Sequence, residues 1–360
     1  DFPYHACGAQ EDNTTVCVAS EGTHLRNPRG QSQDWMYAVG GGESGYVTPH
    51  PVNPDIFFAG ATNTLTRYNR KTGLSFDIQP YPRIVMGEPA KSMQERWNWT
   101  YPVTISNTNH EVLYVGSQYL WKSDDEGETW NKISPDLTRA DPETLEDSGG
   151  PIVKDQDGPE IYGTIYSVGA SHFDNKVIWT GSDDGLVHMT LDGGQSWTNV
   201  TPANLPPHTR ITAIETSRHT PGSAFLSGIR YEMDDRSPYL WKTSDYGETW
   251  DFIVNGIGTD DFTRVIRQDT KNPNVLYSGT ETGVYISFDQ GGNWHSLSLN
   301  LPTVPVTGLI VEERDLVIST HGRSFWILDD IETLRQIDPS LGSSRDHLFK
   351  PADAIRRTVP

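Results

Sequence analysis

One order of polar and apolar positions recurs six times along the chain. A corner rich in Asn, Asp or Pro precedes an apolar run that ends near Gly or Ser, and a second polar corner leads into another short apolar run. Runs of this length and alternation predict short β-strands separated by tight turns. Each copy indicates four strands, the unit of a β-propeller blade. The copies span residues 53–68, 109–123, 175–190, 221–243, 272–287 and 314–328.

Four of the copies continue into the element [S/T]-x-D-x-G-x-[S/T/N]-W. The Asp can accept hydrogen bonds from the amides of its own turn, and Gly supplies backbone angles that other residues resist, so the element predicts a structural turn between strands three and four. The Trp is expected to fold back over the turn as an apolar lid. A calcium loop is disfavoured, because no copy carries the alternating oxygen ligands and the distant Glu that such a loop needs. The residues concerned are Asp125, Asp192, Asp245 and Asp289, with Trp130, Trp197, Trp250 and Trp294.

The two ends of the chain depart from the repeat. Residues 3–20 predict two paired strands of a seventh, incomplete blade, whose missing strands are expected from the C-terminal tail or from residues beyond this sequence. The first full copy has YNRKTGLSF, and the last has LDDIETLRQ, where the turn element should stand. Degenerate terminal units are common in repeat folds. We therefore expect a propeller over residues 1–335 and a tail or linker over 336–360 that could complete a blade.

Composition narrows the partners. The chain has 360 residues, a net charge of -20, 33 Gly and 24 Pro, which suits short strands joined by tight turns. Its acidity disfavours nucleic acid, and no apolar run is long enough to insert into a membrane. The N-terminus shows no secretory signal, so we expect either that a leader was removed or that the chain is part of something longer.

The two cysteines, Cys7 and Cys17, flank a polar run whose centre lies near Asp12. A hairpin turn there would bring the sulfurs together as a disulfide and would imply an oxidising compartment; two buried free thiols are the alternative. Three N-x-T sequons occur, at Asn13, Asn98 and Asn199. They permit glycosylation only in a secreted eukaryotic protein.

Two connections exceed the usual loop length, residues 81–97 and 134–162. The second is acidic, and a one-turn helix is expected within 141–147. Asp155 and Asp157 in this loop could ligate a structural Ca²⁺, although a solvated acidic loop is the favoured interpretation. No other cofactor or metal is expected, because no two His lie at ligand spacing.

The turn element and its surroundings resemble the Asp-box, or BNR repeat, of sialidases, sortilin, two-propeller xyloglucanases and photosystem stability factors. The whole chain is similar to bacterial exported proteins called glycosyl hydrolase or sortilin-like, and residues 150–155, 181–202, 260–265, 279–294 and 319–331 carry the likeness. The resemblance implies a seven-bladed all-β propeller with an extracellular, cell-surface or periplasmic location, within a longer chain. It does not extend to sialidase chemistry, because Arg83-Ile84-Val85 lacks the proline of the sialidase R-I-P motif. A two-propeller xyloglucanase would need a second propeller.

Candidate site residues fall on the face opposite the turn elements, at the corners between strands two and three and at the entries to the blades. Paired carboxyls there could act as acid and base or nucleophile in glycoside hydrolysis, or they could form ion pairs that join blade to blade. His321 with Arg323 would suit an anionic ligand. The catalytic candidates are Asp183, Asp184, Asp261 and Glu281, and the ligand-binding candidates are His321, Arg323, Arg230, Glu43, Gln118 and Arg264.

Two functions remain open from the sequence. The first is an extracellular binding or scaffold module that holds a glycan or protein ligand at the channel mouth and docks with other domains or subunits. The second is a glycoside hydrolase that acts on polysaccharides through the corner carboxylates. The 11 Trp and 15 Tyr could stack on sugars, but the turn elements and strand cores account for most of the Trp.

Overall fold

The chain forms a seven-bladed β-propeller with four-stranded antiparallel blades, as the repeat predicts. The computed structural model describes residues 4–21, 35–61, 64–82, 87–149, 156, 161–338, 341 and 346–353. Five blades have four strands, and the first and last have three within the described residues. The first strands of successive blades lie side by side around the central channel.

The strands of each blade follow one another in chain order from the channel outward. Blade 1 has β1 (His5–Ala9), β2 (Thr15–Ala19) and β3 (Trp35–Tyr37); blade 2 has β4 (Val47–Pro49), β5 (Ile56–Ala61), β6 (Thr64–Asn69) and β7 (Leu74–Asp77); blade 3 has β8 (Val103–Ile105), β9 (Leu113–Gly116), β10 (Leu120–Ser123) and β11 (Asn131–Lys132). Blade 4 has β12 (Ile165–Ala170), β13 (Ile178–Ser182), β14 (Val187–Thr190) and β15 (Thr198–Asn199); blade 5 has β16 (Arg210–Thr216), β17 (Ala224–Arg230), β18 (Asp235–Thr243) and β19 (Asp251–Phe252). Blade 6 has β20 (Thr263–Gln268), β21 (Leu276–Thr280), β22 (Val284–Ser287) and β23 (His295–Ser296); blade 7 has β24 (Val306–Val311), β25 (Leu316–Thr320) and β26 (Phe325–Leu328).

Helical structure within the described residues is short. One α-helix, α1, spans Glu332–Arg335, and 3-10 helices span Ala90–Ser92, Pro142–Leu145 and Tyr231–Met233. The second of these is the one-turn helix that the acidic loop predicts. None of the helices in the described part of the chain has the length and apolar character to span a membrane.

The glycine that ends many second strands has a packing role. A Cβ on Gly181 would stand 2.4 Å from a side-chain carbon of Ile211, and one on Gly279 would stand 2.7 Å from Val306. Ile211 and Val306 belong to the first strand of the next blade. Adjacent blades therefore approach too closely for a side chain at these positions, which explains why the apolar runs end in Gly.

The four turn elements lie between the third and fourth strands of blades 3 to 6. In blade 4, Asp192 accepts hydrogen bonds from the Ser196 amide at 2.9 Å and the Ser196 hydroxyl at 2.6 Å, while the Thr190 hydroxyl donates to it at 2.7 Å. The Ser196 hydroxyl is the main cause that lowers the pKa of Asp192 to about 2. The same bonds recur around Asp125, Asp245 and Asp289.

Each turn element also fastens its blade to the one before it. The sequence predicts that the tryptophan covers its own turn. In the structure each of these tryptophans also donates its indole N–H to a backbone carbonyl of the preceding blade. The pairs are Trp130 to Ile78 at 2.7 Å, Trp197 to Ile133 at 2.9 Å, Trp250 to Val200 at 2.8 Å and Trp294 to Ile253 at 2.7 Å. The glycine of each element packs against that same residue. We call this contact the tryptophan clamp.

Blade 7 has no tryptophan clamp in the described residues, and α1 takes its place. Arg335 lies buried against blade 6, where its Nε donates to both carboxylate oxygens of Asp269 at 2.9 Å. The Asn272 side-chain amide donates to the Arg335 carbonyl at 2.8 Å. The LDDIETLRQ segment therefore replaces an indole hydrogen bond with a buried ion pair.

Blade 1 is closed differently from the expectation. Its third strand is β3 from residues 35–37, and the described tail residues 346–353 add no strand. Cys7 and Cys17 face each other across β1 and β2 and form a disulfide, with a turn at Asp12. The Tyr4 hydroxyl donates to Asp315 of blade 7 at 2.9 Å, which joins the two ends of the ring.

Candidate functional site at the channel mouth

Blade 5 carries an enlarged corner between its second and third strands. β17 and β18 have 7 and 9 residues, whereas the matching strands of blades 4 and 6 have 5 and 4. The 3-10 helix Tyr231–Met233 caps this hairpin, and Asp234 completes it with a left-handed backbone at φ 56°. The hairpin therefore projects beyond the short corners of its neighbours.

The base of the hairpin is braced by Asp235. Its carboxylate accepts from Arg230 Nε at 3.0 Å and from the Tyr239 hydroxyl at 2.7 Å. Beyond this base, Tyr231 is 38% exposed and Met233 is 54% exposed. The corner thus presents two large apolar side chains to solvent on a stiff support.

A pocket of about 290 Å³ lies beneath the hairpin, between blades 4 and 5. Ile229, Tyr231 and Met233 of the hairpin line it together with Tyr162 and His208, and the rest of the lining is Thr144, Asp183, Arg230 and Glu232. The Tyr162 hydroxyl and His208 Nδ1 lie 3.0 Å apart, and their rings are nearly parallel at 28°. Burial raises the pKa of Tyr162, so its hydroxyl stays protonated. We call this space the mouth pocket.

Aromatic rings and arginines support Tyr231 on the side of blade 6. Tyr231 stacks on Phe262 with 5.1 Å between ring centroids, and the guanidinium of Arg264 lies 4.9 Å from the centroid of the Phe262 ring. Arg264 also pairs with Glu281 through two hydrogen bonds of 2.7 and 2.9 Å. The guanidinium of Arg236 lies 5.5 Å from the same Phe262 ring centroid. These cation–π contacts hold the buried Phe262 ring, which in turn supports the half-exposed Tyr231 ring.

The predicted catalytic carboxylates have structural partners. Asp183 is buried and accepts from the Thr164 amide at 2.8 Å and hydroxyl at 2.7 Å, which ties blade 4's second corner to its entry strand. Burial, reinforced by Asp184, raises the pKa of Asp183 to about 7. Asp184 accepts from the Arg139 amide at 2.8 Å and from the Ser182 hydroxyl at 2.6 Å.

The other two candidates are held in the same way. Asp261 accepts from the Thr282 amide at 3.1 Å and its hydroxyl at 2.7 Å, and Glu281 pairs with Arg264. Asp260, the neighbour of Asp261, pairs with Arg236 and not with Arg264. Of the four carboxylates, Asp183 is the one that lines the mouth pocket.

The predicted ligand-binding residues are dispersed around the ring. Gln118 is buried, accepts from the Arg96 amide at 2.7 Å and donates to the Gln94 carbonyl at 2.9 Å. His321 and Arg323 are exposed on blade 7, and Glu43 is half-buried at the entry to blade 2. Arg230 alone among the six lines the mouth pocket.

Sequence reasoning missed Tyr162, His208, Tyr231 and Met233. A signal for two of them was present, because the corner GIRYEMDDRSPYL is longer than its counterparts GSDDGL and GTETGV.

Asn98 is 4% exposed and donates to the Ile161 carbonyl, so its sequon is not accessible for glycosylation in the fold.

No metal centre is evident in the described part of the chain, where no three His, Cys, Asp or Glu side chains form a group that could hold an ion. The suggested calcium ligands Asp155 and Asp157 lie outside the described residues.

Known structures share this fold at low sequence identity. The chain is similar to the GH74 xyloglucanase from Xanthomonas campestris, with 18% identity and a TM-score of 0.58, covering 91% of this chain and 50% of that one. It is also similar to the extracellular domain of the putative one component system BT4673 from B. thetaiotaomicron, with 11% identity and a TM-score of 0.52, covering 90% and 38%. YCF48 bound to D1 peptide aligns with 11% identity and a TM-score of 0.48, covering 79% and 77%. No protein-family profile and no curated protein matches the chain. The chain thus spans half or less of the first two structures and is a seven-bladed propeller with glycoside hydrolases and extracellular sensor domains among its structural neighbours.

Proposed function

We propose that this chain is an exported binding module that holds its ligand at the mouth pocket, through the projecting hairpin of blade 5. The observation that carries this proposal is the pair of exposed apolar side chains, Tyr231 and Met233, over a preformed pocket. Concave sites with apolar walls and a few fixed polar groups are typical of ligand binding. In the mouth pocket, Tyr162 and His208 supply the fixed polar groups.

The chemistry of the mouth pocket favours a protein ligand that inserts an apolar side chain. Tyr231 and Met233 offer apolar contact, and Met adapts its shape to different partners. The arginines around the pocket are already paired with acidic residues, as in Arg264 with Glu281 and Arg236 with Asp260. These paired arginines therefore add little net charge around the pocket, and their main effect is to orient a bound ligand. The apolar face of a sugar ring is the second ligand type that these aromatics can stack on.

The alternative is a polysaccharide-acting glycoside hydrolase, and its support is the likeness to half of a GH74 xyloglucanase. The carboxylates weaken this alternative. Glycoside hydrolysis needs two carboxyl groups that face one substrate, about 5 to 10 Å apart. Asp183, Asp184 and Asp261 are buried among structural hydrogen bonds, and Glu281 is paired with Arg264.

Export is part of the same proposal. Disulfides such as Cys7–Cys17 persist mainly in oxidising compartments, and the structural neighbours include the extracellular domain of a putative one component system. The location of the chain outside the cytoplasm is thus expected from its chemistry rather than from its fold.

The test is a comparison of ligand capture by matched variants. The chain would be screened against a displayed random-peptide library and a glycan array, as wild type and as a Tyr231→Ala/Met233→Ser variant. Phe173→Ala/Leu191→Ser is the matched control, since Phe173 and Leu191 are 47% and 53% exposed on the face that carries the turn elements. We expect the hairpin variant alone to lose binding.

A polysaccharide panel scored for new reducing ends would run beside the screen. Turnover that survives in the hairpin variant and disappears in Glu281→Gln would favour the hydrolase. If the hairpin variant and the Phe173→Ala/Leu191→Ser control both keep binding, the mouth pocket is not the binding site.

A further inference from the structure

A second cleft lies on the opposite face of the propeller, between blade 6 and the chain that follows α1. Its volume is about 460 Å³, within the range of small-molecule sites. The cleft exists because α1 stands where a tryptophan clamp would otherwise close blade 7 onto blade 6. Arg335 draws α1 against blade 6, so residues 336–338 stand opposite blade 6's own turn element, residues 288–290.

Side-chain amides dominate the polar lining of this cleft. They are Asn272, Asn274, Gln290 and Gln336. An amide group presents an acceptor and two donors side by side, and two neighbouring sugar hydroxyls require that same combination. Phe288 and Ile337 add half-buried apolar surface between the amides. A pyranose ring has this pattern of polar edge and apolar face.

The amides are already oriented by bonds among themselves. Gln290 Nε2 donates to Asn274 Oδ1 at 2.9 Å, and Lys242 Nζ donates to Gln290 Oε1 at 2.6 Å. Gln336 is fixed by the backbone of Lys350, which donates to its Oε1 at 2.9 Å. Gln336 Nε2 also donates to the Glu332 carbonyl at 3.0 Å and the Lys350 carbonyl at 2.9 Å, so Gln336 offers a ligand only the second lone pair of its Oε1. The donors left for a ligand are Asn274 Nδ2 and the second N–H of Gln290 and of Asn272. Preorganised polar groups lose little entropy when a ligand binds.

Charge in the cleft excludes other ligand classes. Its cation, Arg335, is bound to Asp269 and Glu332, so it does not offer charge to a phosphate or carboxylate. Asp289 and Asp338 also line the cleft, and they repel anions. Asp289 already accepts three hydrogen bonds, from the Ser287 hydroxyl and from the backbone and side-chain amides of Asn293. That arrangement disfavours it as a metal ligand.

We propose that this cleft, the amide cleft, binds a neutral oligosaccharide. The site is independent of the mouth pocket and lies on the other face of the ring. The proposal concerns binding alone, and no bond of the sugar is made or broken. Its expected affinity is weak, since the cleft is open to solvent and the contacts are mainly hydrogen bonds to exposed amides.

The test is a calorimetric and saturation-transfer NMR titration of the chain with cellotetraose, xylotetraose, mannotetraose and laminaritetraose, each to about 10 mM, a concentration that reveals millimolar affinity. The variants are Asn274→Ala and Gln336→Ala. Glu111→Ala is the matched control, because the Glu111 carbonyl accepts the turn-element amide in blade 3 as the Asn274 carbonyl does in blade 6. Losing two hydrogen bonds should weaken binding about tenfold in Asn274→Ala, and losing the one bond that Gln336 Oε1 can still accept should weaken it about fivefold in Gln336→Ala.

The outcomes separate cleanly. Binding of at least one oligosaccharide, reduced in both cleft variants and unchanged in Glu111→Ala, would establish the amide cleft. Binding that the cleft variants retain would place the sugar elsewhere and overturn the proposal. The absence of binding by all four sugars would also overturn the proposal. So would Ca²⁺ binding, measured in a parallel CaCl₂ titration, that is lost in Asn274→Ala. Melting temperatures would check that each variant is folded.

Discussion

The Arg335–Asp269 ion pair holds the last blade at the place where a tryptophan clamp is missing. The Arg335 side chain is 4% exposed and that of Asp269 is 0% exposed. Arg335 Nη1 also donates to the Glu313 carbonyl at 2.6 Å, and Nη2 to the Glu312 carbonyl at 3.3 Å. The guanidinium therefore ties α1 to blade 6 and to blade 7 at once.

Replacing Arg335 with Met should destabilise the fold by about 3 to 5 kcal/mol, the usual cost of removing one partner of a buried ion pair. Met keeps much of the apolar stem, so the loss comes mainly from the charge. Asp269 would then remain buried without its cation, although the amides of Lys271 and Asn272 still donate to it at 2.8 and 2.9 Å. Adding Asp269→Asn should recover part of the loss, since Asn removes the uncompensated charge and still accepts from those amides.

The control is Arg236→Ala. Its ion pair with Asp260 is nearly as short, at 3.0 Å, but the two side chains are 50% and 80% exposed. A solvated pair contributes at most about 1 kcal/mol. Urea unfolding followed by tryptophan fluorescence and far-UV circular dichroism would measure both variants, and hydrogen exchange would report whether α1 opens first. If Arg335→Met costs no more than Arg236→Ala, the ion pair does not fasten the ring.

Three further predictions follow from named contacts. The folded state raises the pKa of Asp183 from 3.8 to about 7, so wild type loses about 4 kcal/mol of unfolding free energy as pH rises from 4 to 8, because the unfolded chain releases the proton first. Asp183→Asn does not titrate and should therefore gain that amount relative to wild type over the same range. A pH-independent difference in unfolding free energy between the two would contradict this. Trp197→Phe should cost about 1 kcal/mol through the unpaired Ile133 carbonyl, and more than Trp326→Phe, whose indole bonds only to Arg323 in its own corner; urea unfolding of the two variants would compare these costs. Reducing the Cys7–Cys17 disulfide should raise hydrogen exchange in β1 and β2 while blades 3 to 6 keep their protection; uniform loss would show that the ring unfolds as one unit.

The repeat pattern predicted the fold because its causes are local. Strand alternation, the turn chemistry of Asp and Gly, and the spacing of the copies all act within a few residues. The site was less predictable because its partners are distant in sequence. Asp183 is held by Thr164, 19 positions earlier, and Glu281 by Arg264, 17 positions earlier. The sequence around a corner carboxylate does not distinguish a free carboxylate from one that is bound to such a partner.

The replacement of a missing element was also beyond the sequence. LDDIETLRQ showed that blade 7 lacks the turn motif, but nothing in those letters indicates that Arg335 reaches Asp269, 66 positions earlier. The third strand of blade 1, residues 35–37, was likewise not predicted, because it follows a segment without repeat character. Irregular units depend on contacts between residues that are far apart in sequence.

The position of the mouth pocket follows from where the ring is fastened. Tryptophan clamps join blades 2 to 3, 3 to 4, 4 to 5 and 5 to 6. Blade 5, which carries the projecting hairpin, is therefore clamped on both sides, through Trp250 to blade 4 and Trp294 to blade 6. Binding groups hold their geometry best on rigid elements. A hairpin of the same sequence on blade 1 or blade 7 would stand on a part of the ring that has no such clamp in the described residues, so its walls could separate as the blades move. The enlarged corner thus lies where the fold can hold Tyr231 and Met233 in one pocket with Tyr162 and His208.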